Sequence, residues 1–329
     1  MSTTIGYAAR LEQAAPSHAV ELAMRAETAG FEAVMVGDHF QPWVPQQGQA
    51  GFLWPVLGAM GARTMGQLGA VTTPGYRVHP AVVAHAAATV AEMYPGRCWV
   101  GIGSGEALSE HIVGQYWPEP AERIARMFEA VDLITRLLGS RDRDVRLAGK
   151  YFTLESSRLW TAPPVPPPVL IATSGPATAR RAGRSADGIV TVEPDPRRLA
   201  GLLHRLEQGA RDSGRDITSM RRVVQLRVSW GRTDADAEEQ ALAQWPNAGL
   251  RFPTADLRSP FLIAQAARGV TVADLRDRML MSADPQLHLA AIQRLIDLGF
   301  TDVYVHHVGV NQKEFLDAYG EHVLPKIRR

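Results

Sequence analysis

The chain has 329 residues, of which 46% are hydrophobic and 21% charged, and its formal net charge is +1. This composition is typical of a soluble globular protein, and the absence of any basic run argues against nucleic-acid binding. Because no apolar stretch reaches roughly 18 residues and no signal-peptide pattern opens the chain, we expect neither a membrane span nor secretion.

Short apolar, β-branched runs alternate with segments of helical periodicity along the whole chain. This alternation is typical of βα units that surround a parallel sheet. The predicted strands are residues 4–8, 33–37, 67–71, 98–102, 169–172, 188–191, 223–228 and 302–306. Eight such units fit a (β/α)8 TIM barrel better than a doubly wound sheet. We therefore expect an α/β protein with one TIM-barrel domain over residues 1–329.

Three segments are longer than ordinary connections between strands and helices. They are residues 38–53, residues 139–168 with the proline-rich sequence TAPPVPPPV, and residues 245–277. Long connections in a compact domain are usually functional covers or insertions. We predict insertions at all three places and no domain boundary, because no linker or shift in composition separates two parts of the chain.

The active site of a TIM barrel forms just beyond the C-terminal ends of its strands. In this chain the residues at those positions are mostly polar. They are Asp38 and His39 after strand two, Thr72 and Thr73 after strand three, Ser104, Gly105 and Glu106 after strand four, Thr173, Ser174 and Gly175 after strand five, Trp230 after strand seven, and His306 and His307 at strand eight. We therefore expect one site at this end of the barrel.

Candidate acid–base residues lie in two of these loops. In GDHFQPW, a histidine beside a carboxylate can transfer protons near neutral pH; the alternative is a polar loop start that satisfies backbone hydrogen bonds. Trp43 in the same loop can wall a planar ligand or anchor the loop. Glu106, in GIGSGEAL, can act as an acid or base, or only as a charge near a helix N-terminus. That glycine-rich turn lacks the final glycine of a dinucleotide fingerprint.

The segment IATSGPATARRAG predicts a helix that begins at a proline. Free amides at that helix start can hold a phosphate, although simple capping is the alternative. An aldolase-type Schiff base is excluded, because Lys150, Lys313 and Lys326 lie in a predicted turn and the C-terminal helix. The single cysteine, Cys98, allows no intrachain disulfide and fits a reducing, cytoplasmic location. No metal site is expected, since the adjacent histidines of strand eight point to opposite faces.

Five segments together resemble the luciferase-like superfamily and, more narrowly, the F420-dependent glucose-6-phosphate dehydrogenase group. They are GDHFQPW, VTTPGYRVHPAVVAHAAATVAEMYPGR, GIGSGEALSEH, ATSGPATARRAGRSADG and VYVHHVGVNQKEFLDAYGEHVLP. The resemblance implies a homodimeric barrel oxidoreductase that transfers a hydride between the deazaflavin coenzyme F420 and a small-molecule substrate. The alternative is an FMN-dependent monooxygenase or reductase on the same scaffold.

The resemblance also implies roles for individual residues. It places Asp38, Thr72, Ser104 and Gly105 around the coenzyme ring, a non-proline cis peptide at Ala70 and Val71 behind the ring, and Ser174, Gly175, Pro176 and Ala177 on the phosphate side. It gives His39 and Glu106 proton-transfer roles, has Trp43 stabilise developing charge, and places Glu12, Trp43 and Arg278 at the substrate.

One departure from the family pattern concerns the substrate. The resemblance implies two lysines and an arginine around a sugar phosphate, but Asp195 and Gln265 stand at the lysine positions and only Arg278 is retained. An aspartate repels a dianion. We therefore predict that glucose 6-phosphate is not the substrate, and we expect a neutral or weakly polar one.

Overall fold

The computed structural model describes residues 3–328, and eight parallel strands in it close into a barrel. They are β1 (Thr4–Ala9), β2 (Ala33–Gly37), β3 (Gln67–Thr72), β4 (Cys98–Ile102), β5 (Val169–Ala172), β6 (Gly188–Thr191), β7 (Arg221–Trp230) and β8 (Asp302–His307). Each strand pairs with the next in chain order, and β8 pairs with β1. The predicted TIM barrel is confirmed, and each predicted strand is present within three residues at either end.

Helices surround the barrel. They are α1 (Pro16–Ala29), α2 (Leu53–Arg63), α3 (Pro80–Met93), α4 (Ala107–Glu110), α5 (Pro120–Leu138), α6 (Pro176–Ser185), α7 (Pro196–Asp212), α8 (Asp234–Gln244), α9 (Pro260–Ala266), α10 (Val272–Leu275), α11 (Pro285–Asp297) and α12 (Gln312–His322). Several begin at a proline, whose fixed φ suits the first helical position. Among residues 3–328, no helix combines the length and hydrophobicity needed to cross a bilayer.

The three long segments contain secondary structure of their own. Residues 38–53 include a 3-10 turn at Pro45–Gln47, and residues 139–168 include an antiparallel hairpin formed by Val145–Ala148 and Thr153–Ser157. Residues 245–277 carry α9 and α10. A short strand, Leu280–Ser282, follows them and pairs with the end of β7.

The lower part of the barrel is filled by a layer around Trp99 and Tyr304. The indole Nε1 of Trp99 donates a hydrogen bond to the Tyr304 hydroxyl at 2.9 Å, and both side chains are fully buried. A Cβ added at Gly69 would lie 2.3 Å from Trp99, and one at Gly6 would lie 2.3 Å from Tyr304. Glycine at these positions therefore makes room for the two large rings.

The expected cis peptide between Ala70 and Val71 is wrong for this structure. No peptide bond within residues 3–328 is cis. At this point β3 keeps a regular parallel register with both neighbours, and Val71 lies opposite Gly37 and Gly101. The ladder is continuous through the bond, which takes the trans form that non-proline residues prefer.

Candidate active site

A cavity of about 570 Å³ opens at the C-terminal end of the barrel. Its volume lies within the range of small-molecule sites. The predicted site residues that line it are Asp38, His39, Trp43, Val71, Thr72, Ser104, Gly105, Glu106, Ser174 and Gly175. Residues that follow four different strands thus share one space.

The other predicted residues lie outside the cavity lining. Ala70 is fully buried in the outer core, between the barrel and its helices. Pro176 and Ala177 are exposed in the first turn of α6, and Arg278 is partly buried. Glu12 is 1% exposed and lies behind the cavity wall. Glu12 is next to the cavity through its contact with His39, which lines it.

His39 stands between two carboxylates. Its Nδ1 lies 2.7 Å from Glu12 Oε1, a close ionic contact whose angle falls outside that of a regular hydrogen bond. Its Nε2 lies 3.9 Å from Glu106 Oε2, on the cavity side. The Glu106 side chain is 37% exposed, into a space enclosed by protein. The imidazole is therefore anchored on one side and accessible to a ligand on the other.

The environment shifts the pKa values of all three groups. Burial disfavours the charged form of Glu12, but the charges of His39 and Arg10 outweigh it and lower the Glu12 pKa to about 2. Burial likewise disfavours imidazolium, but Glu12 and then Glu106 raise the pKa of His39 above its usual value. Burial raises the pKa of Glu106, although His39 opposes the shift. Divergent shifts of neighbouring groups in a cleft are typical of acid–base sites.

A second charged network supports the same wall of the cavity. The guanidinium of Arg77 lies 3.1 Å from carboxylate oxygens of both Asp38 and Glu110. The Thr72 hydroxyl donates a hydrogen bond to Asp38 Oδ2 at 2.8 Å. The other oxygen, Asp38 Oδ1, is buried without a partner in residues 3–328. We call the residues Asp38, His39, Thr72 and Glu106 the acid–base wall.

Trp43 extends this wall from the loop after β2. Its ring centroid lies 5.3 Å from that of His39, with the rings tilted by 59°. The backbone amide of Trp43 donates to the Gln47 side chain at 2.8 Å, which fixes the loop. The indole Nε1 is buried and has no partner in the part of the chain that the structure describes. The ring thus packs against the imidazole and borders the cavity.

Small residues and a helix start form the side of the cavity between β4 and β6. Gly105 has φ +87°, a conformation that favours glycine, and a Cβ there would approach Thr73 to 2.8 Å. Gly175 is the N-cap of α6, and no side chain caps the helix. The hydroxyls of Ser174 and Thr191 lie 3.4 Å apart beside it. Uncapped first-turn amides next to hydroxyls suit an anionic group.

A further part of the cavity lining contains residues that the sequence reasoning missed. Arg10, Gln225, Arg227 and Trp245 line it, and we call these four residues the arginine wall. The guanidinium carbons of Arg10 and Arg227 lie 5.1 Å and 5.8 Å from the Trp245 ring centroid. A sequence signal was present, because Gln225 and Arg227 are polar residues at alternate positions of a strand that is otherwise largely apolar.

The two histidines of β8 face opposite sides, as predicted. His306 points into the barrel, where it accepts a 3.0 Å hydrogen bond from Arg10 Nε and contacts Trp245 edge-on. His307 points outwards and stacks on Phe315 of α12. Burial, then the charges of Arg10 and Arg227, hold the pKa of His306 well below its usual value. His306 is therefore a neutral hydrogen-bond acceptor.

Residues 3–328 contain no group of three or more histidine, cysteine, aspartate or glutamate side chains arranged to hold a metal ion. The chemical groups that these residues present to the cavity are the acid–base residues His39 and Glu106, the arginine wall and the start of α6.

Comparison with known proteins identifies the family. The sequence profile of the luciferase-like monooxygenase family matches residues 1–302. The chain is 37% identical to an F420-dependent glucose-6-phosphate dehydrogenase of Nakamurella multipartita, with 98% of this chain and 96% of that protein covered. It is 35% identical to the protein of the same name from Microbacterium testaceum, with 98% and 97% covered.

Comparison with solved structures also gives an F420-dependent enzyme. The structure of an F420-dependent secondary alcohol dehydrogenase, in complex with an F420–acetone adduct, superposes with a TM-score of 0.93 at 31% sequence identity and covers 100% of both chains. The resemblance expected from the sequence motifs is confirmed. The chain belongs to the luciferase-like monooxygenase family, in the group that contains the F420-dependent glucose-6-phosphate dehydrogenases.

Proposed function

We propose that this protein is a coenzyme F420-dependent oxidoreductase that transfers a hydride between the deazaflavin and a small organic substrate other than glucose 6-phosphate. The main support is the position of His39, whose Nε2 faces a closed-ended cavity while Nδ1 contacts the buried Glu12. Similarity to F420-dependent enzymes over the whole chain supports the choice of coenzyme.

The cavity residues fit a deazaflavin. Two buried polar atoms at the lining, Asp38 Oδ1 and Trp43 Nε1, have no partner in residues 3–328 and can bond to a polar ring edge. Gly105 keeps the backbone accessible to a flat ligand. On this proposal Asp38, Thr72, Val71, Ser104 and Gly105 hold the ring.

The start of α6 fits the coenzyme's phosphate. Ser174 and Gly175 lie at the cavity, and Pro176 and Ala177 form the uncapped first helical turn beyond it. The positive end of the helix dipole favours an anion there. When bound, the coenzyme supplies two-electron hydride chemistry.

The protein's own part in the reaction is proton transfer. With Glu12 ionised, His39 keeps a proton on Nδ1, so Nε2 is free to accept a proton from a substrate hydroxyl or to return one. The contact with Glu12 stabilises the imidazolium that forms. Trp43, packed against the ring, restricts its rotation. His39 thus serves as the general base for oxidation and the general acid for reduction.

Glu106 is the second proton carrier. Its carboxyl group is next to His39 Nε2, and its raised pKa lets it hold a proton above the usual range for glutamate. It can therefore donate a proton in the cavity while Glu12 remains ionised. The two carboxyl groups on either side of one imidazole take different roles because their burial and neighbours differ.

Glucose 6-phosphate is disfavoured by what stands at the lysine positions of its family site. Asp195 is the N-cap of α7, and its carboxylate accepts a hydrogen bond from the Arg197 amide at 2.8 Å. Gln265 is exposed on α9. Neither residue lines the cavity, and neither supplies positive charge to a phosphate.

A binding titration tests the coenzyme. Purified protein is titrated with F420 and, in parallel, with FMN, and its substrates are then screened with both coenzyme forms. We expect saturable F420 binding, weak FMN binding and no turnover of glucose 6-phosphate. Preferential binding of FMN with substrate-dependent oxygen consumption would replace the proposal by the monooxygenase alternative, and efficient turnover of glucose 6-phosphate would refute the substrate exclusion.

We also propose that the chain folds as one domain and forms a homodimer. The pairing of β1 with β8 joins the two ends of the chain in one barrel, which supports the single domain. Light scattering should give about twice the 35.9 kDa chain mass, and a monomeric mass would reject the dimer.

A further inference from the structure

Arg227 is a cavity residue that the proton-transfer scheme does not use. It lies on β7, whose alternate residues point into the barrel: Val223 packs in the layer around Trp99, and Gln225 and Arg227 follow at the cavity. An arginine inside a barrel costs desolvation unless an anion accompanies it. The partners of this guanidinium therefore bear on what the cavity binds.

No anion of the described chain accompanies Arg227. Its Nε is buried without a partner within residues 3–328. Burial, and then the charges of Arg10 and Arg278, lower its pKa to about 10. The charged groups that act on it are both cations, so the cost of burying it is increased by its neighbours.

The other charges at the cavity are already matched. Arg10 donates to His306 and lies 3.8 Å from Glu12. Beside the acid–base wall, Arg77 pairs with both Asp38 and Glu110. Among the arginines that line the cavity in the part of the chain described, Arg227 is thus the one left without a hydrogen bond or ion pair.

We propose that Arg227 binds a carboxylate group of the substrate, so that the enzyme acts on a hydroxy acid and the corresponding oxo acid. This proposal rests on the proposed hydride transfer. In the oxidative direction the substrate's carbinol C–H bond breaks and its electron pair leaves with the hydrogen to oxidised F420. The hydroxyl proton passes to His39 Nε2, and the carbon becomes a carbonyl.

The shape and surroundings of Arg227 favour a carboxylate. The planar guanidinium matches two carboxylate oxygens at once, and Trp245 lies against it. Arg10 lies between the two groups, because its guanidinium is 3.8 Å from Glu12, the partner of His39, and packs with Arg227 on the Trp245 ring. On this proposal the substrate's carboxylate lies at Arg227 and its hydroxyl at His39. This substrate class replaces the neutral one expected from the sequence.

The test compares wild type, Arg227→Met, Arg227→Lys and the control Arg232→Met, an exposed arginine beyond the end of β7. Each protein receives hydroxy acids of increasing chain length and their methyl esters with F420. We expect wild type and the control to prefer the best acid over its ester by about 100-fold or more in kcat/KM. Arg227→Met should lose the preference, and Arg227→Lys should recover part of it.

Two binding measurements separate this proposal from the proposed function. F420 affinity should be equal in all four proteins; weakened affinity in Arg227→Met alone would mean that Arg227 holds the coenzyme, which overturns the proposal. Binding of oxamate, its uncharged diamide oxamide and inorganic phosphate is measured without coenzyme. Oxamate binding that is lost in Arg227→Met supports the proposal even if the coenzyme assignment fails. Equal binding of oxamate in the variant, equal turnover of acid and ester, or phosphate binding in preference to oxamate would overturn it.

Discussion

The acid–base wall and the arginine wall line one cavity, but they differ in whether the protein supplies partners for their charges. On the acid–base wall the carboxylate of Asp38 is bonded to Thr72 and Arg77, and His39 stands between two glutamates. On the arginine wall, the charged groups that act on Arg227 are the cations Arg10 and Arg278, and its Nε has no hydrogen-bond partner in residues 3–328.

The difference separates what a wall needs for its own stability from what it leaves for a ligand. A buried ion pair within the protein is needed for stability, because removal of one partner leaves the other charge buried and uncompensated. A charge without a protein partner destabilises the ligand-free protein, and a bound ligand of opposite charge offsets that loss. The next five predictions test whether the walls differ in this way.

The largest effect should come from Arg77. Arg77→Met leaves the carboxylates of Asp38 and Glu110 buried without their cation, and we expect a loss of about 3–5 kcal/mol in the free energy of unfolding. Urea denaturation measures it. As a control, Arg25→Met removes an exposed ion pair with Asp317 and should cost about 0–1 kcal/mol. Equal losses in the two variants would mean that the acid–base wall is not held by this network.

The next effect concerns turnover. His39→Ala and Glu106→Gln should each reduce kcat by about 100-fold or more, because general acid–base groups contribute on this scale. Coenzyme affinity, measured on the same proteins, should remain close to wild type for Glu106→Gln. Near-normal rates in both variants would remove these residues from the mechanism.

The third prediction concerns pH. In the oxidative direction His39 must be neutral to accept a proton, so the rate should rise as pH increases through its raised pKa. Glu12→Gln removes the charge that raises this pKa, and the rising limb should move to lower pH. A limb that stays in place would show that Glu12 does not control His39.

The same variant, Glu12→Gln, carries a prediction about how stability depends on pH. A carboxyl whose folded pKa is depressed contributes stability above its unfolded pKa and loses it as pH falls. The stabilisation by Glu12, relative to Glu12→Gln, should therefore be complete above its reference value of 4.5 and disappear as pH falls towards about 2. Denaturation curves at a series of pH values measure this difference.

The smallest expected change is the most direct test of the arginine wall. Arg227→Met removes a partly buried cation that Arg10 and Arg278 repel, so the unfolding free energy of the ligand-free protein should stay within about 0.5 kcal/mol of wild type or rise. Urea denaturation of Arg227→Met, Arg77→Met and wild type measures the difference. A loss as large as that of Arg77→Met would show that Arg227 has a structural role.

The barrel could be predicted because each strand carries a local signal. Apolar, β-branched runs such as residues 98–102 mark strands regardless of what lies beside them, and the polar tips follow directly. The ends of strands carry a weaker signal. The predicted strand at 223–228 continues through Ser229 and Trp230 in the structure, because β7 extends past the polar serine that ends the apolar run. The hairpin at Val145–Ala148 was missed because its strands are mostly exposed and lack an apolar face.

The site was predictable only in part. His39 and Glu106 follow strands directly, so barrel geometry brings them together. Arg77 comes after a turn, and its pairing with Glu110 depends on how that turn packs against α4, which no local pattern encodes. Arg227 was visible as a charged residue within a strand, but whether it lacks a partner depends on the positions of distant side chains.

The layer formed by Trp99 and Tyr304 has a kinetic consequence. These fully buried rings block passage through the barrel, so ligands enter and leave from the C-terminal side. When two ligands share such a blind-ended chamber, the outer one must leave before the inner one can. Release of the inner ligand should therefore slow as the concentration of the outer ligand approaches saturation.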